Sequence, residues 1–122
     1  MPSPGPGKGG AIDLEEADHT KKQQAWRVAK LADDYAAVGD KNKSLVLARQ
    51  ALALDANDPT VNYKAGEAFE LSGQREAAIP LIAKAVATGY DAYEFAHSPE
   101  LAALRSDPRF IAALAELKER KQ

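Results

Sequence analysis

Few side chains in this sequence are of a type and spacing that could carry a reaction. His19 and His97 are the only two histidines, and there is no cysteine. A general base, a nucleophile or a catalytic metal needs partner groups arranged around it. Neither histidine belongs to a Ser/His/Asp set in a workable order, and no glycine-rich loop joins a strand to a helix. Both histidines are therefore expected at exposed turns or helix ends. The absence of cysteine excludes disulfides and thiolate–metal sites. The acidic pairs Glu15/Glu16 and Asp33/Asp34 remain as candidates for metal or general-acid work. Adjacent residues on a helix point about 100° apart, so such pairs do not converge on one ion. They are expected on a solvated helix face, as is the run Lys118–Lys121 at a helix C-terminus, where cations meet the negative end of the dipole. No catalytic residue, metal site or cofactor is predicted.

The elements that would position these side chains follow a period. At an offset of about 34 residues, Tyr35 falls on Phe69, Gly39 on Gly73, Ser44 on Ala78, Leu47 on Leu81 and Ala51 on Ala85. An aromatic, a turn glycine and small residues thus recur, as stacked helix pairs require for close approach and a sharp turn. Apolar spacing of three and four predicts helices over Lys21 to Val38, Lys41 to Leu54, Pro59 to Leu71 and Arg75 to Thr88. Asp40 and Asp58 are the expected N-caps, Pro59 suits a first helical position, and Gly39, Gly73 and Gly89 stop the helices. Pro80 is expected to bend the fourth helix. Residues 1–12 are mostly Pro, Gly and Ser and read as a flexible tail or linker, with Asp13 or Thr20 as candidate helix starts. Whether 13–20 forms an extra helix stays open.

After Gly89 the period fails. Ser98-Pro99 and Asp107-Pro108 each resemble a cap followed by a proline start. A turn or helix around Asp91 to Ala96 is expected, then helices over Pro99 to Arg105 and Pro108 to Lys121. The last carries Phe110, Ile111, Leu114 and Leu117 on one stripe, suited to covering the end of a stack.

Bulk properties limit the partners. The chain has 122 residues, room for one small domain, with a formal net charge of −2 and a pI near 5.7. That balance argues against a nucleic-acid or anionic-membrane partner, which would select a basic face. No apolar run reaches the roughly 20 residues that span a bilayer, and the N-terminus lacks a signal-peptide pattern. A cytoplasmic protein is the expectation.

These positions resemble the tetratricopeptide repeat family. Repeat one, about 25–58, has Leu31, Ala32, Tyr35, Gly39, Ser44, Ala48 and Ala51 at the packing positions. Repeat two, about 59–89, has Ala65, Gly66, Phe69, Gly73, Ala78, Ile82 and Ala85 there. Val28 and Asn62 depart from the family's first large aromatic, and Ala56 from its closing proline. The stretch Gly89-Tyr90-Asp91 with Leu101 to Phe110 is similar to a tail that follows the last repeat in many bacterial multidomain signalling proteins. The resemblance implies an all-α fold: two helix-turn-helix repeats in a short right-handed α-solenoid, closed by a C-terminal capping segment over about 90–121. It implies no enzyme, but a scaffold or adaptor binding a peptide or helix on the concave face of the first helices.

By position that face carries Trp26, Lys30 and Asp33 from repeat one, and Tyr63, Lys64, Glu67 and Glu70 from repeat two. Trp26 and Tyr63 are the expected aromatic anchors. The competing reading makes Lys30/Asp33 and Lys64/Glu67 pairs within one helix, worth about 0.2–0.5 kcal/mol each. Ala29 and Asp33 contradict the family's clamp for peptides with acidic ends. Two alternatives stand beside the adaptor: a C-terminal regulatory or oligomerisation segment of a bacterial signalling enzyme (kinase, cyclase or transcription regulator), and self-association, since two repeats fall below the roughly three that a stable stack needs.

Overall fold

A computed structural model describes the backbone of residues 6–120 and the side chains of residues 19–120. Those residues are all-helical: α1 Pro6–Ala37, α2 Lys41–Leu54, α3 Pro59–Leu71, α4 Arg75–Ala87, α5 Ala92–His97, a 3-10 turn Pro99–Leu101, α6 Ala102–Arg105 and α7 Pro108–Arg120. Where the sequence placed a Pro/Gly-rich tail to residue 12 and fresh starts at Asp13 or Thr20, the backbone is one helix from Pro6. From Ala11 to Ala25 no glycine or proline interrupts a run rich in Ala, Glu, Lys and Gln, so nothing there stops a helix from propagating. Residues 1–5 of the expected tail lie outside the described residues.

Helix ends follow local chemistry. The Asp40 carboxylate accepts from the Lys43 N–H at 3.2 Å, and that of Asp58 from Thr60 and Val61 at 2.8 and 3.1 Å. Gly39 and Gly73 close α1 and α3 in the same way. Each has positive φ, 87° and 82°, which costs glycine nothing. Gly39 N–H donates to Ala36 C=O and Asp40 N–H to Tyr35 C=O; Gly73 and Gln74 repeat the pattern onto Glu70 and Phe69. The recurring aromatic-to-glycine spacing is thus a repeated Schellman ending.

The helices pack as neighbours in sequence, α1 on α2 and α3 on α4, with α1 and α2 both against α3 and α7 against α4. Small residues set the distances. Ala25, Ala29, Ala32, Ala48 and Ala51 are buried between α1, α2 and α3, and Ser44 Oγ donates to the Ala32 carbonyl at 2.7 Å. At the position equivalent to Ala32, Gly66 lets α4 come closer still: a Cβ there would lie 2.6 Å from Ile82 Cδ1. Larger side chains fill the C-terminal half, where Ile82, Leu101, Leu104 and Phe110 are buried. Leu31, expected at a packing position, is instead 43% exposed. α4 runs unbroken through Pro80. Ser98 caps no helix with its side chain; its hydroxyl turns elsewhere.

Candidate functional site

Because α1 and α3 lie side by side, residues at matching repeat positions become neighbours. Asp33 on α1 thereby meets Lys64 and Glu67 on α3. Lys64 Nζ reaches the Asp33 carboxylate at 3.9 Å, across the helices rather than along one. The segment after Gly89 folds back over this face. Tyr90 lays its ring on that of Tyr63, with centroids 3.9 Å apart and planes 11° from parallel. α5 and the Pro99–Leu101 turn then stand as a wall along one side of an open, shallow cleft of about 620 Å³.

The lining of the cleft is acidic. Asp33, Glu67, Asp91, Glu94 and Glu100 contribute five carboxylates, against one lysine, Lys64, and the exposed His97. Several of these acids are held in place. Asp91 caps α5, accepting from Tyr93 and Glu94 N–H at 3.0 and 3.1 Å. Glu94 accepts from the Tyr90 hydroxyl at 2.8 Å, and Glu100 from Ser98 Oγ at 3.0 Å. The same Ser98 hydroxyl lies 3.4 Å from Glu67. Arg105 fixes the wall from behind, donating from one guanidinium nitrogen to the Phe95 and Ser98 carbonyls at 2.7 and 2.6 Å.

Glu67 is 7% exposed. Its carboxyl is pushed up to about 9, by burial first and then by hydrogen bonding and charge from the Asp33 carboxyl, with Lys64 opposing. It is therefore a protonated, neutral acid at pH 7. Tyr63 and Tyr90 are also held protonated, first by burial; Glu67 adds to this for Tyr63, and Glu94 for Tyr90. The Tyr63 hydroxyl is buried without a hydrogen-bond partner.

Of the seven residues expected on the binding face, three converge here: Asp33, Lys64 and Glu67. Tyr63 lies beneath them. Expected as an exposed anchor, it is fully buried because Tyr90 covers it. The other three face elsewhere. Trp26 is 44% exposed beside Lys22, whose ammonium sits 6.0 Å from the ring, and it borders a separate depression with His19 and Arg27. Lys30 binds Asp34 at 3.1 Å on the outer side of α1, a pair at i,i+4 rather than the expected i,i+3. Glu70 accepts from Arg75 through both its oxygens, and Arg75 reaches on to Asp107 at 3.5 Å, tying α3 and α4 to the start of α7. Burial of Glu70 thus serves the fold.

The wall residues Asp91, Glu94, Ser98 and Glu100 escaped the sequence reading because the period carries no information past Gly89. The signal present was compositional: three acids within ten residues, directly after the last repeat. Both histidines are exposed, but only His97 lies at a helix end as expected; His19 lies inside α1, because that helix has no fresh start at Thr20. Among the described residues no group of three or more His, Cys, Asp or Glu is placed to hold a metal ion, and no helix is long and apolar enough to cross a membrane. Comparisons with family models, with curated proteins and with solved structures return no match to this chain.

Proposed function

We propose that this chain is a protein-interaction module in which two tetratricopeptide-like helix pairs, α1/α2 and α3/α4, stack as a short right-handed α-solenoid. In this reading α7 closes the stack, and a peptide or helix of a protein partner lies across the α1/α3 face. The observation that carries it is the convergence of Asp33, Lys64 and Glu67 in a cleft walled by α5. Asp33 and Glu67, at matching repeat positions, meet with Lys64 on one surface, whereas Lys30 pairs within its own helix. The order of packing (each helix on the next, with α1 also on α3) and the twin Schellman endings support the stacked pairs. Binding fits better than catalysis because His97 bonds to the Tyr93 carbonyl while the neighbouring Ser98 hydroxyl turns to Glu67 and Glu100, and the acid with a strongly raised proton affinity faces other acids. The partner is a protein or peptide; the near-neutral charge gives no footprint for nucleic acid.

The test is affinity capture with mass spectrometry, run with the wild type, the cleft double variant Asp33→Ala/Lys64→Ala and the back-face variant Val46→Ala. A partner held by the wild type and by Val46→Ala, and lost from a cleft variant whose circular dichroism is unchanged, supports the reading. Retention of every captured protein by the cleft variant refutes it.

A further inference from the structure

We infer that the chain from Tyr90 to Ser98 is a built-in competitor for the α1/α3 face: the Tyr90 ring fills a seat on Tyr63 that a partner takes with an aromatic side chain of its own. This rests on the reading of the α1/α3 face as an interaction surface, and it names what the surface selects and what guards it. Tyr63 stands on α3 next to Lys64 and one turn from Glu67, which converge on that face. It is 0% exposed, with the Tyr90 ring flat on it at 3.9 Å and 11°. The covering ring comes from beyond the last repeat, so the helix pairs do not supply it themselves. A planar ring stacked this closely makes a contact that another aromatic side chain reproduces and an aliphatic one does not.

The segment is strapped across the face rather than built into it. Both of its ends are held elsewhere. The Tyr90 N–H donates to the Ala85 carbonyl at the end of α4, at 2.9 Å. Phe95 packs on Phe110 of α7 with ring centroids 5.4 Å apart, and Arg105 of α6 donates to the Phe95 and Ser98 carbonyls. Between these ends no residue of α5 is buried. Contact with α3 runs through the Tyr90 ring and the Ser98 hydroxyl, which lies 3.4 Å from Glu67 while bonding Glu100 at 3.0 Å. The ring therefore vacates its seat by turning about its own side-chain bonds, with the backbone ends in place. Its hydroxyl donates to Glu94 at 2.8 Å, an exposed acid that braces the ring in the closed position. A group tethered in this way acts at an effective concentration of about millimolar. The seat is thus filled by default, and a partner gains it only with further contacts along the cleft.

The experiment is an amide chemical-shift titration of the isotope-labelled full chain with two capped peptides of residues 89–98, one natural and one carrying Tyr90→Leu, Tyr93→Leu and Phe95→Leu. Three chains are compared: wild type, Tyr90→Ala and Glu94→Ala, the last an exposed site that unbraces the ring without touching the core. The natural peptide is expected to move the amides of Tyr63, Lys64 and Glu67 saturably in Tyr90→Ala, and to bind it about tenfold or more tighter than the wild type. In Glu94→Ala the expected gain is about threefold, since one hydrogen bond that holds the ring closed is lost. The leucine peptide carries the same charges and is expected to show neither gain. Where Tyr90→Ala loses its helical circular dichroism, Glu94→Ala alone decides. Equal affinity of the natural peptide for the folded chains, or equal gains for both peptides, overturns the inference and leaves the interaction face standing. If no peptide moves these amides in any chain, the inference falls, and capture with Asp33→Ala/Lys64→Ala decides the face independently.

Discussion

Glu67 is the residue whose replacement probes the packing of the two repeats most directly. Its carboxyl titrates near 4.5 when free and is pushed up to about 9 in the folded chain, by burial first and by Asp33 second. Between these values the folded chain holds a proton that the unfolded chain has released, so stability is lost as pH rises through the window. This is opposite in sign to the usual salt-bridged carboxylate. At pH 7, which lies 2.5 above 4.5, the cost at about 1.36 kcal/mol per pH step is about 3 kcal/mol, whatever the folded value, so long as it exceeds 7. At pH 5 the cost is under about 1 kcal/mol by the same linkage. Glu67→Gln keeps the shape, offers an N–H donor where the protonated acid offers O–H, and does not titrate. Urea unfolding of both proteins at pH 5, 6, 7 and 8 is the assay. The variant is expected to gain on the wild type by about 2–3 kcal/mol between pH 5 and pH 7, and to keep gaining at pH 8. His19 and His97 are exposed and common to both proteins, so they cancel in the difference. Parallel stability curves from pH 5 to pH 8 would refute the reasoning, because they would mean that Glu67 is ionised in the fold.

Two further substitutions test how the helices fit. Asn62 is 0% exposed and both polar atoms of its amide lack a partner, so Asn62→Leu is expected to stabilise the fold by about 1–3 kcal/mol in thermal or urea unfolding. Any loss of stability would show that the amide has a use in the fold. Gly66→Ala would set a methyl 2.6 Å from Ile82 Cδ1 and 3.2 Å from Leu81 Cβ. Overpacking of about 1–3 kcal/mol outweighs the roughly 1 kcal/mol gained by removing glycine from a helix interior, so a net loss is expected. A variant as stable as the wild type would show that α4 can shift away at little cost.

What was legible in the sequence is what depends on near neighbours. Asp40 and Asp58 cap helices because a short carboxylate can always reach an N–H two or three residues on, and α3 spans Pro59–Leu71 as its start and stop signals require. The recurrence of Asp33 and Glu67 at one repeat position was legible too, since any stack of pairs brings such residues together. Tyr63 was not. Its place on α3 marks an outward face, and only Tyr90, from beyond the last repeat, covers it. Ser98 failed for a related reason. Its spacing to Pro99 is that of a cap, but Glu67 and Glu100 compete for the hydroxyl, and only the fold sets their distance. The uninterrupted α1 reflects the opposite balance: weak local start signals at Asp13 and Thr20 do not break a run that has no breaker in it.

The cleft owes its character to the segment that departs from the period. Two helix pairs alone would leave Asp33 and Glu67 on an open face, where water screens their repulsion. The chain from Tyr90 to Glu100 covers part of that face. It stacks Tyr90 on Tyr63, places Ser98 beside Glu67 and adds three acids of its own. Holding an acidic wall over acidic residues is unfavourable unless cations anchor it from outside. Arg105 does so through two backbone carbonyls of the wall. Arg105 is not among the residues lining the cleft, so it fixes the wall without neutralising the cleft itself.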